Sequence, residues 1–378
     1  MSGLRPVRSQ VTRQQLQQQS WHSLQDLASN LQAAVNNTLA SGDNYESVDV
    51  LALHWENDEM GVVGLENELL ELLRRDYNYN CEGFIIPTHN PHLALGQKLP
   101  NWTSPRVRRN TLRIYIYSGH AASAGPADLS WVIGGRANAN GALIGPQVNI
   151  KNLLYPCENL EGDSLYIFDC CSAGSVALWD GPEAIGACGW EQTSSASLDF
   201  CLTRAIIDTL KDNELAPITV ASLFARLFRN APQNQVGACP VHIPRRDHPS
   251  ITLKPLSTSD SRPSRQSLYS ERVLLSIKVR DNPNERDLQA WEAWLARDMP
   301  QDVLSVDIKV EASFKSRSTV LLMTVPLEVW TMLPEHPGYD FVSHVTSNNI
   351  LSATRALPHR PVQSKKENEP LSTRKSIR

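Results

Sequence analysis

What the chain lacks narrows its class before any motif is considered. No apolar run approaches the ~20 residues needed to span a bilayer, and Met1 to Asp43 is rich in glutamine rather than carrying an apolar leader. Neither a membrane span nor a secretory signal is therefore expected, and the protein is expected in the cytoplasm, with the nucleus as the alternative. There is no G-x-x-x-x-G-K-[ST] phosphate loop and no H-E-x-x-H helix, and Gly134-Gly135 lacks the strand-to-helix context of a dinucleotide fingerprint. The seven cysteines (Cys81, Cys157, Cys170, Cys171, Cys188, Cys201 and Cys239) are odd in number and show no C-x-x-C pair. They read as thiols of a reducing compartment rather than as a disulfide framework or a zinc site, so neither a cofactor nor a metal is expected from the residues themselves. A net charge of −4 argues against a generic nucleic-acid binder.

What is present is an ordinary globular mix: 378 residues, 41% hydrophobic and 20% charged, enough for two domains. Residues 1–47 are Gln-rich, with Leu16, Leu24, Leu27, Leu31, Val35 and Leu39 at helical spacing. That pattern predicts an amphipathic helix with one narrow apolar stripe, docked on the chain's own surface or pairing with a partner helix. Within residues 48–256, strands are predicted at Val48–His54, Phe84–Ile86, Leu112–Tyr117, Ser164–Phe168 and Ala184–Cys188, with a helix over Gly61–Asp76. Asn90–Arg109 reads as a loop, and the glycines from Gly134 to Gly145 as a turn-rich excursion ending in a helix over Gln147–Leu154. Helices at Leu198–Leu210 and Val220–Phe228 and strands at Val241–Ile243 and Ile251–Leu253 follow. This alternation predicts an α/β fold, a parallel sheet with helices on both faces.

Residues 257–270 form a Ser-rich linker. Residues 271–351 then predict strand, helix, two strands, helix and strand at Arg272–Val279, Leu288–Arg297, Val303–Phe314, Ser318–Val325, Leu327–Leu333 and Phe341–Ser347. That is the order of a small α+β ferredoxin-like domain, a fold that by itself names no function. Residues 352–378 carry seven Lys/Arg against two Glu without periodicity and predict a disordered basic tail; Lys365-Lys366 and Arg374-Lys375 are the alternative reading as a nuclear signal.

The chemistry sits where two predicted strands end. Leu112–Tyr117 opens into Ser118-Gly119-His120, and Ser164–Phe168 into Asp169-Cys170-Cys171-Ser172-Ala173-Gly174. In parallel α/β sheets the loops at the carboxyl ends of adjacent strands meet in one crevice, so a histidine is brought beside a cysteine pair. A thiolate nucleophile needs an imidazole to take its proton and backbone donors to stabilise the tetrahedral oxyanion.

Tyr117-Ser118-Gly119-His120 and Phe168 to Gly174 resemble the His and Cys motifs of the caspase and metacaspase superfamily, usually Ser-Gly-His-Gly and Asp-Ser-Cys-His-Ser-Gly. The separation of His120 and Cys171, 51 residues, fits that resemblance, which favours the metacaspase side. Trp55 to Val62, Asp76 to Tyr79 and Ala187 to Glu191 resemble segments of fungal caspase-like proteins, so the likeness spans Val48 to Leu256. It implies a caspase-like domain over that region and an intracellular cysteine endopeptidase acting on peptide or protein substrates, of the kind that serves apoptosis. His120 and Cys171 are then the catalytic pair, Cys170 pointing away. Gly119, Ala121 and the Cys171 N–H are the implied oxyanion donors. Asp169 is the implied acid for an Arg or Lys P1 side chain, with Glu66 or Asp58 as a second acid. Calcium activation is implied by the resemblance alone.

Two departures stand out. Ala121 replaces a family glycine, and its Cβ crowds the scissile carbonyl if it faces the crevice; Ser172-Ala173 replaces His-Ser. The rival reading is an inactive scaffold that binds proteins through the N-terminal helix or the ferredoxin-like domain. Neither a nucleic acid nor a membrane is an expected partner.

Overall fold

Strand β1 (Ser47–Trp55) is buried at every residue after Ser47, and β3 (Thr111–Ser118) throughout. Unbroken burial of this kind belongs to parallel strands covered on both faces. In the computed structural model these strands are adjacent interior strands of a six-stranded sheet, with β2 (Asn80–Ile86), β7 (Asp163–Asp169), β8 (Glu183–Gly186) and β10 (Val241–Ile243) in the order β10-β8-β7-β3-β1-β2. All pairs are parallel except β10 with β8. The described residues are 23–40, 45–123, 130–157, 160–173, 182–188, 198–231, 239–245, 248–256, 271–280, 285–298, 308–315, 319–334, 336–347 and 349–350. Gly174, the Gly189-Trp190-Glu191 segment, the linker at 257–270 and the tail at 352–378 lie outside them.

Alternate residues of the strands feed two cores. One face packs Val48, Val50, Ile114, Ile116, Leu165 and Ile167 under helices α2 (Val63–Arg75), α5 (Leu202–Asp212) and α6 (Val220–Asn230). The other packs Leu51, Leu53, Tyr115, Tyr117, Tyr166 and Phe168 under helix α3 (Pro91–Thr103), short helix α4 (Ile150–Leu154) and a hairpin of β5 (Trp131–Ala137) and β6 (Leu143–Asn149). On that second face the rings form a chain, Trp102–Tyr115 at 5.2 Å, Tyr115–Tyr166 at 5.2 Å, Tyr166–Phe168 at 5.7 Å and Phe168–Trp131 at 4.7 Å. Aromatic pairs in such arrangements contribute about 0.5–1.5 kcal/mol each beyond their area. The mixed α/β class with helices on both faces is as expected. Helix α3 replaces the loop expected at Asn90–Arg109, and the β5–β6 hairpin replaces most of the turn-rich excursion.

Beyond residue 270 a four-stranded antiparallel sheet runs in the order β13-β14-β12-β15 (β12 Arg272–Val279, β13 Lys309–Lys315, β14 Thr319–Pro326, β15 Tyr339–Val345), with helices α7 (Glu285–Asp298) and α8 (Leu327–Thr331) in its connections. The N-terminal helix α1 (Leu24–Ala40) contributes Leu27, Leu31, Ala34 and Val35, all fully buried, to the same core as β12, β14 and α8. The described part of its apolar stripe is thus covered by the chain itself. Helix α6 joins this core through Ala221 and Ala225, and two glutamates hold it. Glu271 accepts hydrogen bonds from Arg229 at 2.8 and 3.0 Å and lies 3.5 Å from Arg226. Glu328 accepts from Thr219 Oγ1 and Ser222 Oγ, both at 2.8 Å. Contacts divide the chain into Met1–Val345 and Thr346–Arg378; the described residues of the second unit form no helix or strand. Among the described residues no helix is long and apolar enough to cross a membrane.

Full burial pushes the Glu328 carboxyl up from 4.5 to about 7, and its Oε2 has no hydrogen-bond partner among the described residues. The folded state therefore holds the proton more tightly than the unfolded chain. The stability this confers is complete below 4.5 and lost as pH rises through about 7. At 1.36 kcal/mol per pH unit the loss is on the order of 3 kcal/mol. Thermal denaturation from about pH 5 to about pH 8 is expected to show that decline in the wild type and a flatter profile in Glu328→Gln; parallel profiles would contradict the assignment.

Candidate active site

Strands β3 and β7 run in register from Leu112↔Asp163 to Ser118↔Asp169. At the first end the buried Arg113 guanidinium donates to Ser164 Oγ at 3.3 and 3.2 Å and to the carbonyls of Arg106, Glu161 and Gly162. At the other, the Gly119 N–H donates to the Asp169 carbonyl at 3.2 Å. His120 and Cys171 each lie two residues beyond the Ser118↔Asp169 pair, at the carboxyl ends of neighbouring parallel strands.

Both chains turn sharply there. Gly119 has φ +147°, and a Cβ on it would stand 2.9 Å from Tyr117 Oη. That turn directs His120 into strand β4 (His120–Ser123), which pairs with β5, while Tyr117 Oη donates to the His120 carbonyl at 2.7 Å. On the other chain Ser172, directly after Cys171, has φ +54°, a left-handed conformation uncommon for a residue with a Cβ. Strain of this kind clusters at functional sites. Next to it Ala173 packs so closely on Gly186 that a Cβ there would meet the Ala173 Cβ at 2.7 Å.

The two adjacent cysteines differ. Cys170 is fully buried, Cys188 Sγ donates to its carbonyl at 3.4 Å, and burial raises its thiol well above the ordinary range. Cys171 is only partly buried. Ala121 is 5% exposed and belongs to the core containing Trp131, Phe168 and Cys170, so its methyl packs inward. Of the expected oxyanion donors, Gly119 has its N–H engaged by the Asp169 carbonyl.

The carboxylates have specific partners. Asp169 is buried and accepts from Thr203 N at 2.8 Å, Thr203 Oγ1 at 2.7 Å and Leu202 N at 3.4 Å, the first turn of α5. Free N–H groups and the helix dipole both favour an anion there. Asp169 also lines a small pocket with Met60, Val62, Leu65, Ser118, Leu198, Cys201 and Thr203, with room for about one water. Burial, with the Asp169 carboxylate beside it, pushes the Cys201 thiol up to about 12. Glu66 does not line this pocket. It is buried against His54, whose Nδ1 lies 3.1 Å from both its oxygens, and this hydrogen bond raises the His54 pKa against the effect of burial. Asp58 instead receives the N–H groups of Met60, Gly61 and Val62 at 3.3, 2.7 and 3.0 Å, at the start of α2.

Among the described residues, the carboxylate paired with the histidine is one that sequence reasoning passed over. Glu59 Oε1 lies 3.2 Å from His120 Nε2. The same carboxylate accepts from the Ala137 N–H at 2.8 Å and Arg136 Nε at 3.2 Å, and these bonds lower its pKa. The signal was its place just beyond β1, the neighbour of β3, where the strand-end rule collects functional groups. No group of three or more His, Cys, Asp or Glu among the described residues is arranged to hold a metal ion.

No protein-family profile and no curated protein sequence matches the chain. Among solved structures it is similar to caspase-1 from Spodoptera frugiperda, at 8% identity and a TM-score of 0.38 over 53% of this chain and 90% of that one. It is also similar to protein GSU0716 from Geobacter sulfurreducens, at 11% identity and a TM-score of 0.36 over 56% and 95%.

Thiol exposure gives a direct check on the choice between the two cysteines. Brief treatment of the native protein with iodoacetamide is expected to modify Cys171, along with the exposed Cys239, and to spare Cys170. Peptide mapping that finds Cys170 modified as fast as Cys171 would overturn the choice.

Proposed function

We propose that the protein is a caspase-like, metacaspase-type cysteine endopeptidase using a Cys171/His120 pair. The observation that carries this reading is the β3–β7 register, which ends the two strands side by side two residues short of His120 and of the partly buried Cys171. In the reaction His120 takes the Cys171 proton, the sulfur attacks the scissile carbonyl carbon, and the N–H groups of Ala121 and Cys171 are the candidate oxyanion donors. The inward packing of Ala121 favours activity, since its methyl then leaves room at the carbonyl. Cleavage after Arg or Lys is proposed because Asp169 is the charged residue in an otherwise largely apolar pocket, a lining suited to an aliphatic stem with a cationic head.

The proposal extends to organisation. Residues 48–256 form the peptidase domain and 271–351 a ferredoxin-like domain, its β13-β14-β12-β15 order being that of a split β-α-β fold. A cytoplasmic or nuclear setting and protein substrates belong to the same reading. Two observations favour the rival, an inactive scaffold: the pocket has room for only about one water, and Asp169 already accepts three hydrogen bonds. Scaffold contacts would then use exposed parts of the C-terminal domain, since Leu27, Leu31 and Val35 of α1 are buried.

Fluorogenic peptides with Arg, Lys, Asp or a neutral residue at P1 separate the readings. Turnover of the Arg and Lys peptides is expected, abolished in Cys171→Ala. A hydrogen bond to a charged group contributes about 1.5–3 kcal/mol, so Asp169→Asn should lower the Arg-over-neutral preference by about tenfold to a hundredfold at 1.4 kcal/mol per decade. Preference for Asp at P1 would replace the metacaspase pocket with a true caspase one, and no turnover of any peptide would favour the scaffold.

A further inference from the structure

Glu59 occupies a place that the Cys171/His120 pair alone does not explain. Its carboxylate is fixed from two sides, by the Ala137 N–H at 2.8 Å and by Arg136 Nε at 3.2 Å, both in or at the end of β5. The same strand pairs with β4 through His120↔Gly134. One strand, β5, therefore holds both the histidine backbone and the acid that faces the histidine ring. His120 Nε2 lies 3.2 Å from Glu59 Oε1 without the alignment of a hydrogen bond, and the nitrogen is buried with no other partner among the described residues. A buried ring nitrogen left unsatisfied is costly. A small ring rotation would align it with Glu59.

We infer that Glu59 is a positioning residue for His120, an inference that rests on the peptidase reading above. With Nε2–H directed at Glu59, the ring presents Nδ1 to the thiol. The proton leaving Cys171 Sγ then goes to Nδ1, the proton on Nε2 stays where it is, and the imidazolium so formed faces a carboxylate. This is the role of the third group in a Cys-His or Ser-His arrangement, to select the tautomer and stabilise the charged ring. Glu59 is 35% exposed at its side chain, so solvent screens it more than a buried triad acid, and its effect is correspondingly smaller.

Glu59→Gln keeps an oxygen for the Ala137 N–H and removes only the charge, so the fold is expected to survive with an unchanged thermal midpoint. Against the best peptide substrate, kcat is expected to fall on the order of tenfold to a hundredfold with KM held within about twofold. Alkylation of Cys171 by iodoacetamide at neutral pH, which reads the thiolate fraction, is expected to slow in Glu59→Gln and further in His120→Ala. That second readout decides the matter even without peptide turnover. A loss in His120→Ala with none in Glu59→Gln overturns the role of Glu59 while leaving the pair intact. Equal alkylation rates in all three proteins overturn the pair and the inference together.

Discussion

The site depends on one constraint, the register of β3 against β7. Side chains alternate along a strand, so a slip of one residue would turn every inward residue outward. Here a slip would drive Tyr115, Tyr117, Tyr166 and Phe168 of the aromatic core into the aliphatic core on the other face. The register is also pinned chemically. Arg113 ties the first residues of β7 to β3 and to the preceding loop, and Gly119 ties the last. A buried guanidinium that loses its acceptors leaves an uncompensated charge, so the Arg113 contacts admit few alternative alignments.

The carboxylates around the crevice divide between support and chemistry. Asp58 satisfies the N–H groups at the start of α2, Asp169 those at the start of α5, and Glu66 a buried histidine. Each meets a need that helix ends and buried polar groups impose on any fold. Of these, Asp169 alone also lines the pocket formed with Ser118, Cys201 and Thr203, so its affinity for a cationic side chain competes with Thr203. Glu59 is held by one backbone N–H and one exposed arginine, which leaves its charge directed at His120. Electrostatics thus single out a different acid from the ones motif alignment singles out.

Much of this was legible in the sequence. The β-branched and aromatic runs ending in Ser118-Gly119-His120 and Asp169-Cys170-Cys171 marked the central strands, and Val241–Ile243 and Arg272–Val279 were predicted with the boundaries observed. Helix α3 was hidden because Pro91 and Pro100 and its polar residues suggest a loop. Pro91 sits in the first turn, where no N–H is needed, and Leu95, Leu99 and Trp102 supply a buried stripe at helical spacing. The β5–β6 hairpin was hidden by its glycines. Gly135 is there because Asn57 and Trp55 come so close that a Cβ would clash, a contact between segments nearly eighty residues apart. The capping of α5 by Asp169 spans 34 residues to Thr203 and could not be read from local pattern.

The central claim is that this register sets His120 and Cys171 facing each other across one crevice. It is tested most directly by placing a thiol at the histidine position. In His120→Cys, dibromobimane, which becomes fluorescent on bridging two thiols, should join the introduced thiol to Cys171, and peptide mapping should recover that single cross-link. Absence of the bridge in a folded protein, or a bridge to Cys170 instead, would contradict the account.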